Sequence, residues 1–476
     1  MQRNSTLATL ALSLSLALPL VGCRAGSEYH APKEDAPAAW SEPLENSRAS
    51  EPLAHWWHLF GDPDLDQLIE RAAKANLDLE LARARLREAR ATREASRSAT
   101  EPRVDLSAGY ARARNSANTE GSPGSRVSNL WQAGLDASWE LDLFGRNENI
   151  VGAAQAGLES AEFGVRDALV SVFGEIARNY VDLRGVQKEI AVARANAASQ
   201  SDTLGLTHSL FDAGLATGLD VARAEAQVAT TQSQIPELER QARADMHQLA
   251  VLLGEAPGAI DEQLSADAPL PLAPEALATG TPSELLRRRP DIRRAERDLA
   301  QAHALANVAA ADLYPRISLS ATLGQQSSGF WDLLNASSRA WSIGPSLLMP
   351  IFDRGAIKAQ IQASDERAKQ SLIRYQETVL VAFAEVEDAL SAVAHARERV
   401  LKLQEAVDAD RRAVDLASEL RQRGLASFFE VLDAQRAQFV VESALAQGRT
   451  NLSIAVVSLY KALGGGWEEH DQVAQQ

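Results

Sequence analysis

The stretch YPRISLSATLG, Tyr314 to Gly324, decides how the chain is read, because EPRVDLSAGYA, Glu101 to Ala111, writes the same pattern 213 residues earlier. In both, a Pro-Arg pair opens an alternation. Val104, Leu106, Ala108 and Tyr110 alternate with Asp105, Ser107 and Gly109, and Ile317, Leu319, Ala321 and Leu323 alternate with Arg316, Ser318, Ser320 and Thr322. Period two predicts strands. Two more alternating runs follow, Trp131 to Leu143 and Trp341 to Met349, so each half writes a hairpin, at about 103–143 and 315–351. The connections Arg114 to Ser128 and Gln325 to Arg339 contain Ser, Gly and Asn and read as polar tips.

Two other anchors repeat in the same order. Leu143-Phe144-Gly145-Arg146 matches Ile351-Phe352-Asp353-Arg354 at an offset of 208, and Gly214-Leu215-Ala216-Thr217 matches Gly424-Leu425-Ala426-Ser427 at 210. Nearly constant offsets mean a tandem duplication. Between Gly355 and Gly424 there is neither Gly nor Pro, and between Gly145 and Gly214 there is no Pro. Each stretch predicts one helix of roughly 100 Å at 1.5 Å per residue. After each terminal Gly the chain returns as a second helical arm, Leu215 to Leu253, interrupted at Pro236, and Leu425 to Leu463. Leading helices, Leu65 to Ala99 and Ser283 to Ala311, precede the Pro-Arg anchors.

Composition narrows the class. With 45% apolar and 24% charged residues the chain is folded, and its formal charge of −16 argues against nucleic-acid binding. Residues 1–22 read as an export leader, with Arg3 ahead of the apolar run Leu7 to Leu20. The leader ends Leu20-Val21-Gly22 before Cys23, the single cysteine of the chain. This order predicts a lipoprotein signal peptide with lipidation at Cys23, and excludes internal disulfides.

Lengths near ten residues suit tilted transmembrane strands with Trp and Tyr at the interfaces, although alternation alone equally fits a soluble sheet. Four strands cannot close a barrel, and an open sheet edge cannot persist in lipid. Two chains would supply eight strands, three would supply twelve and four sixteen; the residues do not choose.

No enzyme site emerges, because the eight His residues are scattered. His55 and His58 flank Trp56 and Trp57 and read as packing around an aromatic anchor rather than as metal ligands. Arg287 to Arg289 reads as a solvated helix start beside Glu284 and Asp291.

The most specific stretch is Leu285-Leu286-Arg287-Arg288-Arg289-Pro290-Asp291-Ile292-Arg293-Arg294-Ala295-Glu296, continuing through Ala309-Ala310-Ala311-Asp312-Leu313-Tyr314-Pro315-Arg316-Ile317. Beside it stand Trp56-Trp57-His58-Leu59-Phe60-Gly61-Asp62-Pro63, Leu252-Leu253-Gly254-Glu255-Ala256-Pro257-Gly258, and Gly344-Pro345 to Pro350-Ile351-Phe352-Asp353. Together they resemble the TolC/OprM-type outer-membrane efflux channel family, in its lipoprotein, NodT-like branch that serves RND efflux systems.

The resemblance implies an α+β membrane protein: a tandem-duplicated protomer with four transmembrane β-strands and long periplasmic helices. It implies a homotrimer closing a 12-stranded β-barrel and a 12-column α-barrel, in which the shorter helices stack end to end in pairs. The expected organisation is a leader at 1–22, a lipid-anchored equatorial segment at 23–61, a first repeat at 62–257, a Pro-rich equatorial linker at 258–282, a second repeat at 283–463 and a tail at 464–476.

The implied function is a passive trans-periplasmic duct in the outer membrane, energised by an inner-membrane RND-type pump through a periplasmic adaptor. No cofactor is implied beyond the covalent lipid on Cys23. Gly214, Leu215, Ala216, Thr217, Gly424, Leu425, Ala426 and Ser427 become the candidate adaptor-contact tips. Some relatives carry a carboxylate two residues after the second Gly, where this chain has Ala426. Asp212, Arg421 and Arg423 are therefore the candidate gate. The alternatives are a type I protein-secretion duct and a non-channel periplasmic structural lipoprotein.

Overall fold

The computed structural model describes residues 25–33, 35–42, 47–48, 53–114, 116, 127–266 and 268–468. The expectations for the leader and for Cys23 lie outside these residues. The described chain forms two compact units. Neither coincides with one sequence repeat. Of the described residues, the first unit takes those within 25–33, 87–160 and 295–375, and the second those within 35–86, 161–294 and 376–468. Each thus draws on both repeats.

The first unit contains a four-stranded antiparallel sheet of β1 (Arg103–Arg114), β2 (Val127–Leu141), β3 (Arg316–Ser327) and β4 (Arg339–Leu348), in the order β1-β2-β3-β4. The two hairpins meet through β2 and β3, with Leu135 opposite Leu323 and Ala137 opposite Ala321. Register aligns the alternations of all four strands. Leu106, Leu135, Leu323 and Trp341 form one cross-strand row, and Ala108, Ala133, Gln325 and Arg339 form the next, toward the tips. One face is consequently apolar through the middle of every strand. The other carries Asp105, Asp136, Thr322 and Ser342 in one row.

The apolar face is bare: Leu106 is 80% exposed and Ile343 64%. A water-soluble sheet would cover such a face with a second layer. Gly134 and Gly324 stand opposite each other, and a Cβ on Gly134 would lie 2.9 Å from the Gly324 Cα. Backbone approach at the central strand pair therefore requires glycine.

One expected tip needs correction. The segment between β3 and β4 is not simply polar, because it folds into two 3₁₀ turns, Phe330–Asp332 and Ala336–Ser338, that present Phe330, Trp331 and Leu334 to the outside. Counting its Ser, Gly and Asn residues missed these three. In the same unit, residues 25–33 lie along the helix that leads into β3. Ala25 N–H donates to the Phe144 carbonyl at 3.0 Å, and Tyr29 Oη donates to Glu296 Oε1 at 2.7 Å.

Apart from one turn at Asp261–Leu264, the described α-helices are α1 (Pro63–Ala75), α2 (Leu77–Ser98), α3 (Arg146–Asp212), α4 (Gly218–Leu252), α5 (Pro282–Arg288), α6 (Pro290–Ala311), α7 (Arg354–Gln422) and α8 (Phe428–Ala462). The unbroken 67 residues of α3 and 69 of α7 follow from their lack of breakers. Three boundaries differ from the sequence reading. The leading helices each break once, at Asn76 and Arg289, both in extended conformation. Asn76 Oδ1 accepts from the N–H groups of Asp78 and Leu79 and so starts α2, while Arg289 precedes Pro290, which disfavours helix there. Helix α4, in contrast, runs straight through Pro236. The proline leaves one carbonyl, that of the exposed Gln232, without a helical partner, and water can satisfy it.

In the second unit the breaks dock on the ends of the return helices. Asn76 Nδ2 donates to the Leu252 carbonyl at 2.7 Å, and Arg289 Nη1 donates to the Ala462 carbonyl at 3.0 Å. Both are last-turn carbonyls without an intrahelical donor. Gly254 and Gly464 end these helices at φ +71° and +68°. A Cβ on Gly254 would come within 2.4 Å of the Ala75 carbonyl oxygen, so glycine serves both the turn and the close approach.

The core of the second unit is aromatic and apolar. Trp56, 1% exposed, stacks on Tyr460 at 5.5 Å, and Trp57 meets the Phe173 ring edge-on at 5.2 Å. Arg184, also 1% exposed, is buried yet saturated. It donates to the Ala266 carbonyl at 2.9 Å, to Asp64 at 3.2 Å and to the Tyr180 hydroxyl at 3.1 Å, while Tyr180 donates to Asp62 at 2.9 Å.

With lipid on the apolar face, Leu135→Arg should destabilise the folded protein by about 2–4 kcal/mol. Ser138→Arg, on the opposite face, should cost far less. Urea unfolding of each variant in liposomes measures the difference.

Candidate functional site

The two helical turns are built alike. Gly214 and Gly424 both sit at φ +73°, where a Cβ would strain the backbone. Leu215 N–H reaches back to the Leu210 carbonyl at 2.8 Å and Leu425 N–H to the Leu420 carbonyl at 2.9 Å, satisfying the ends of α3 and α7. Two residues on, Thr217 and Ser427 start the return helices with capping boxes to Asp220 and Glu430. Hydrogen bonds from the Thr217 hydroxyl and then from its backbone N–H hold the Asp220 carboxylate below the usual range, with Arg223 and Arg421 adding positive charge.

What these rigid turns expose is apolar. Leu215 is 70% exposed and Leu425 73%, with Leu219 and Phe429 also outside. Thr217 and Ser427 are exposed beside them, while Ala216 and Ala426 are half-buried. Just behind, Phe428, Leu432 and Ala224 form a buried cluster with Leu204 against it, and the Arg223 guanidinium lies 5.4 Å from the Phe429 ring centroid. The two turns are thereby fixed to each other. Phe428 and Phe429 replace Gly218 and Leu219 of the first turn, so one aromatic builds this contact from inside and the other receives the arginine.

Of the gate candidates, Arg423 pairs with Glu419 one turn back on α7, and Arg421 lies near enough to Asp220 to favour its charged form. Asp212 is exposed at the end of α3. Among the described residues these three make no ion pair with one another.

Further along the same helices lies a cavity of about 1090 Å³ between α3, α7 and α8, lined by Asn196, Gln200, Arg411, Gln435 and Glu442. Glu442 bridges the helices, accepting from Arg411 Nε at 3.0 Å and from Asn196 Nδ2 at 3.2 Å. The hydrogen bonds of Gln438, Asn196 and Arg411 outweigh burial and hold its carboxylate below the usual range. Sequence reading did not find this cluster, because its members are ordinary helix residues brought together by packing.

A row of half-buried carboxylates was missed for the same reason. Asp167, Asp182 and Glu189 on α3 are each raised by burial, Asp182 despite the charge of Arg178. Asp245 on α4 is pushed up to about 6 by burial and, after it, by the negative charge of Asp182. Its Oδ2 has no hydrogen-bond partner among the described residues.

His55 and His58 stack at 5.1 Å, and His58 Nε2 lies 3.6 Å from Asp66. No group of three or more His, Cys, Asp or Glu that could hold a metal ion occurs among the described residues. No described helix is long and apolar enough to cross a membrane.

A two-faced sheet assembled from two duplicated hairpins, with long helices ending in matched turns, defines the protomer of an outer-membrane channel. The chain belongs to the outer membrane efflux protein family, whose model matches it twice, over residues 68–255 and 281–465. It is 31% identical over 456 residues to nodulation protein T of Rhizobium leguminosarum bv. trifolii, covering 95% of this chain and 96% of the relative. It is 32% identical to the pyoverdine export outer membrane protein OpmQ of Pseudomonas aeruginosa, covering 92% of each. Among solved structures it superposes on the outer-membrane channel OprN with a TM-score of 0.87 and 37% identity, over 93% of this chain and 99% of that one.

Because the folded-state pKa of Asp245, about 6, lies above its ordinary value of 3.8, the folded protein takes up this proton first as pH falls. Ionisation thus opposes folding above about pH 6, and the penalty disappears as pH drops toward 3.8. Asp245→Asn should accordingly raise the melting temperature at pH 8 and leave it nearly unchanged at pH 4, as followed by circular dichroism in detergent.

Proposed function

We propose that three copies of this chain form the outer-membrane duct of a tripartite efflux system. The observation that carries this reading is the sheet: one bare apolar face, one polar face, and outer edges on β1 and β4 that have no partner strand among the described residues. Lipid demands that such edges pair. Three protomers give a twelve-stranded barrel with its polar face toward the pore, and the helices give a twelve-column tunnel. The duct is passive and not an enzyme. An inner-membrane RND-type pump supplies the energy through a periplasmic adaptor. The name of one relative, a pyoverdine exporter, supports small-molecule cargo.

The adaptor docks at Gly214 to Thr217 and Gly424 to Ser427, where matched rigid turns expose Leu215 and Leu425. Arg421, Arg423 and Asp212 lie within or beside the same turns and pair between protomers to close the mouth. No cofactor takes part. A covalent lipid on Cys23 adds a second hold on the membrane. A structural periplasmic lipoprotein would have no use for a bare apolar sheet face, which disfavours that alternative.

The duct runs as a trimer on an unboiled gel of outer-membrane fractions, and recovery as a soluble monomer would refute it. Burying a leucine contributes about 1.5–3 kcal/mol, so Leu215→Asp and Leu425→Asp should each weaken adaptor binding about tenfold or more. Drug accumulation in complemented cells should rise accordingly, with the trimer intact. Cys23→Ser should abolish incorporation of labelled palmitate and leave the protein unanchored by acyl chains.

A further inference from the structure

Between β3 and β4 the chain makes a short platform, residues 328–338, whose placement is fixed by two independent contacts. Trp131 belongs to the apolar face of β2, in line with Leu135, and pairs with Tyr110 across the hairpin. The Phe330 ring packs edge-on against Trp131 at 4.9 Å. Gln325 stands on the same face, opposite Ala133. With its amide oriented to satisfy its neighbours, its nitrogen donates to the carbonyls of Leu333 at 2.9 Å and Asn335 at 3.2 Å. Both contacts draw the platform over the apolar face at the tip end of the strands. It does not fold across the polar face.

The platform is also internally rigid. Ser338 Oγ donates to the Asp332 carbonyl at 2.7 Å, Asn335 Nδ2 to Asp332 Oδ1 at 3.2 Å, and Asn335 N–H to the Asp332 carbonyl at 3.0 Å. Asp332, Asn335 and Ser338 thus engage one another, and the platform hydrogen-bonds Gln325, which shares its cross-strand row with Ala108, Ala133 and the exposed Arg339. What the platform turns outward is Trp331, 89% exposed, and Leu334, 86% exposed. Trp341, opposite Leu323, extends the same surface.

We infer that the 328–338 platform is a membrane foot: Trp331 and Leu334 insert into the outer leaflet at the boundary between lipid head groups and acyl chains. The occupant is lipid because this surface is continuous with the face that the barrel turns to the bilayer, so the inference rests on that reading. Trp suits the boundary, having an apolar body and one N–H that keeps contact with the polar layer. The foot sets the depth at which the barrel sits, and it leaves the pore mouth free of this segment.

Site-directed spin labelling of the full-length trimer in lipid nanodiscs tests the inference. Trp331→Cys and Leu334→Cys are labelled singly, with Ile343→Cys as the marker of the apolar face and Ser342→Cys as the marker of the polar face; unsubstituted protein reports any background from Cys23. Collision rates with oxygen, which enters lipid, and with a polar nickel chelate, which stays in water, are compared. At 331 and 334 the oxygen-to-nickel ratio should lie below that at 343, which sits deeper, and exceed that at 342 several-fold. A ratio like that of 342 would place the foot in water and overturn the inference. Low collision with both reagents would mean that protein covers it, which also overturns it. If 343 itself behaves as aqueous, the barrel reading fails instead.

Discussion

An unpaired backbone hydrogen-bonding group in hydrocarbon costs several kcal/mol, and the rest of the molecule follows from that penalty. Among the described residues the large sheet has four strands, too few to close, and its apolar face lies bare. Oligomeric closure in lipid answers both problems at once. Each edge finds a partner on the next protomer, each apolar row meets acyl chains, and the polar face encloses an aqueous path. A duplicated chain suits this solution, because each protomer then brings two equivalent hairpins to a ring of repeating units.

The helical half follows a parallel rule. Breaks in the leading helices coincide with the ends of the return helices, and Asn76 and Arg289 satisfy carbonyls that would otherwise lack a donor. These two side chains are chemically unrelated, yet they stand 213 residues apart in corresponding places. The duplication has therefore kept the interaction and changed the residue. The turns show the reverse. Their backbone and capping boxes are the same, while Phe428 and Phe429 have made the second turn heavier and tied it to Arg223 of the first return helix. The two turns related by duplication are thus similar without being equivalent.

Much of the fold was legible because the deciding features are periodic. Alternation from Val104 to Tyr110 and from Ile317 to Leu323, and the long breaker-free stretches, are properties of backbone geometry that nearby residues impose. The misjudged places were those where one local signal stood against a larger context. Pro236 is a helix breaker by chemistry, but its helix is held on both sides and loses only one bond. Gln325 to Arg339 is rich in turn residues, and the aromatic pair within it was outvoted. The turn residues Gly214 to Thr217 and Gly424 to Ser427 were legible as turns, whereas their partner chemistry was reached through resemblance.

By itself the sequence determined the duplication, the order of the four long strands, the two long helices with their return arms, and the two glycine turns, since each depends on residues close together in the chain. Only the tertiary structure decided that all four alternations share one register and so one apolar face, because a slip of a single residue would have turned a strand over. It alone put Asp245 within reach of the charge of Asp182, joined Asn196, Arg411 and Glu442 across three helices, and drew Phe330 onto Trp131. Those contacts join residues far apart in sequence, and their energies depend on packing distances that no local pattern encodes.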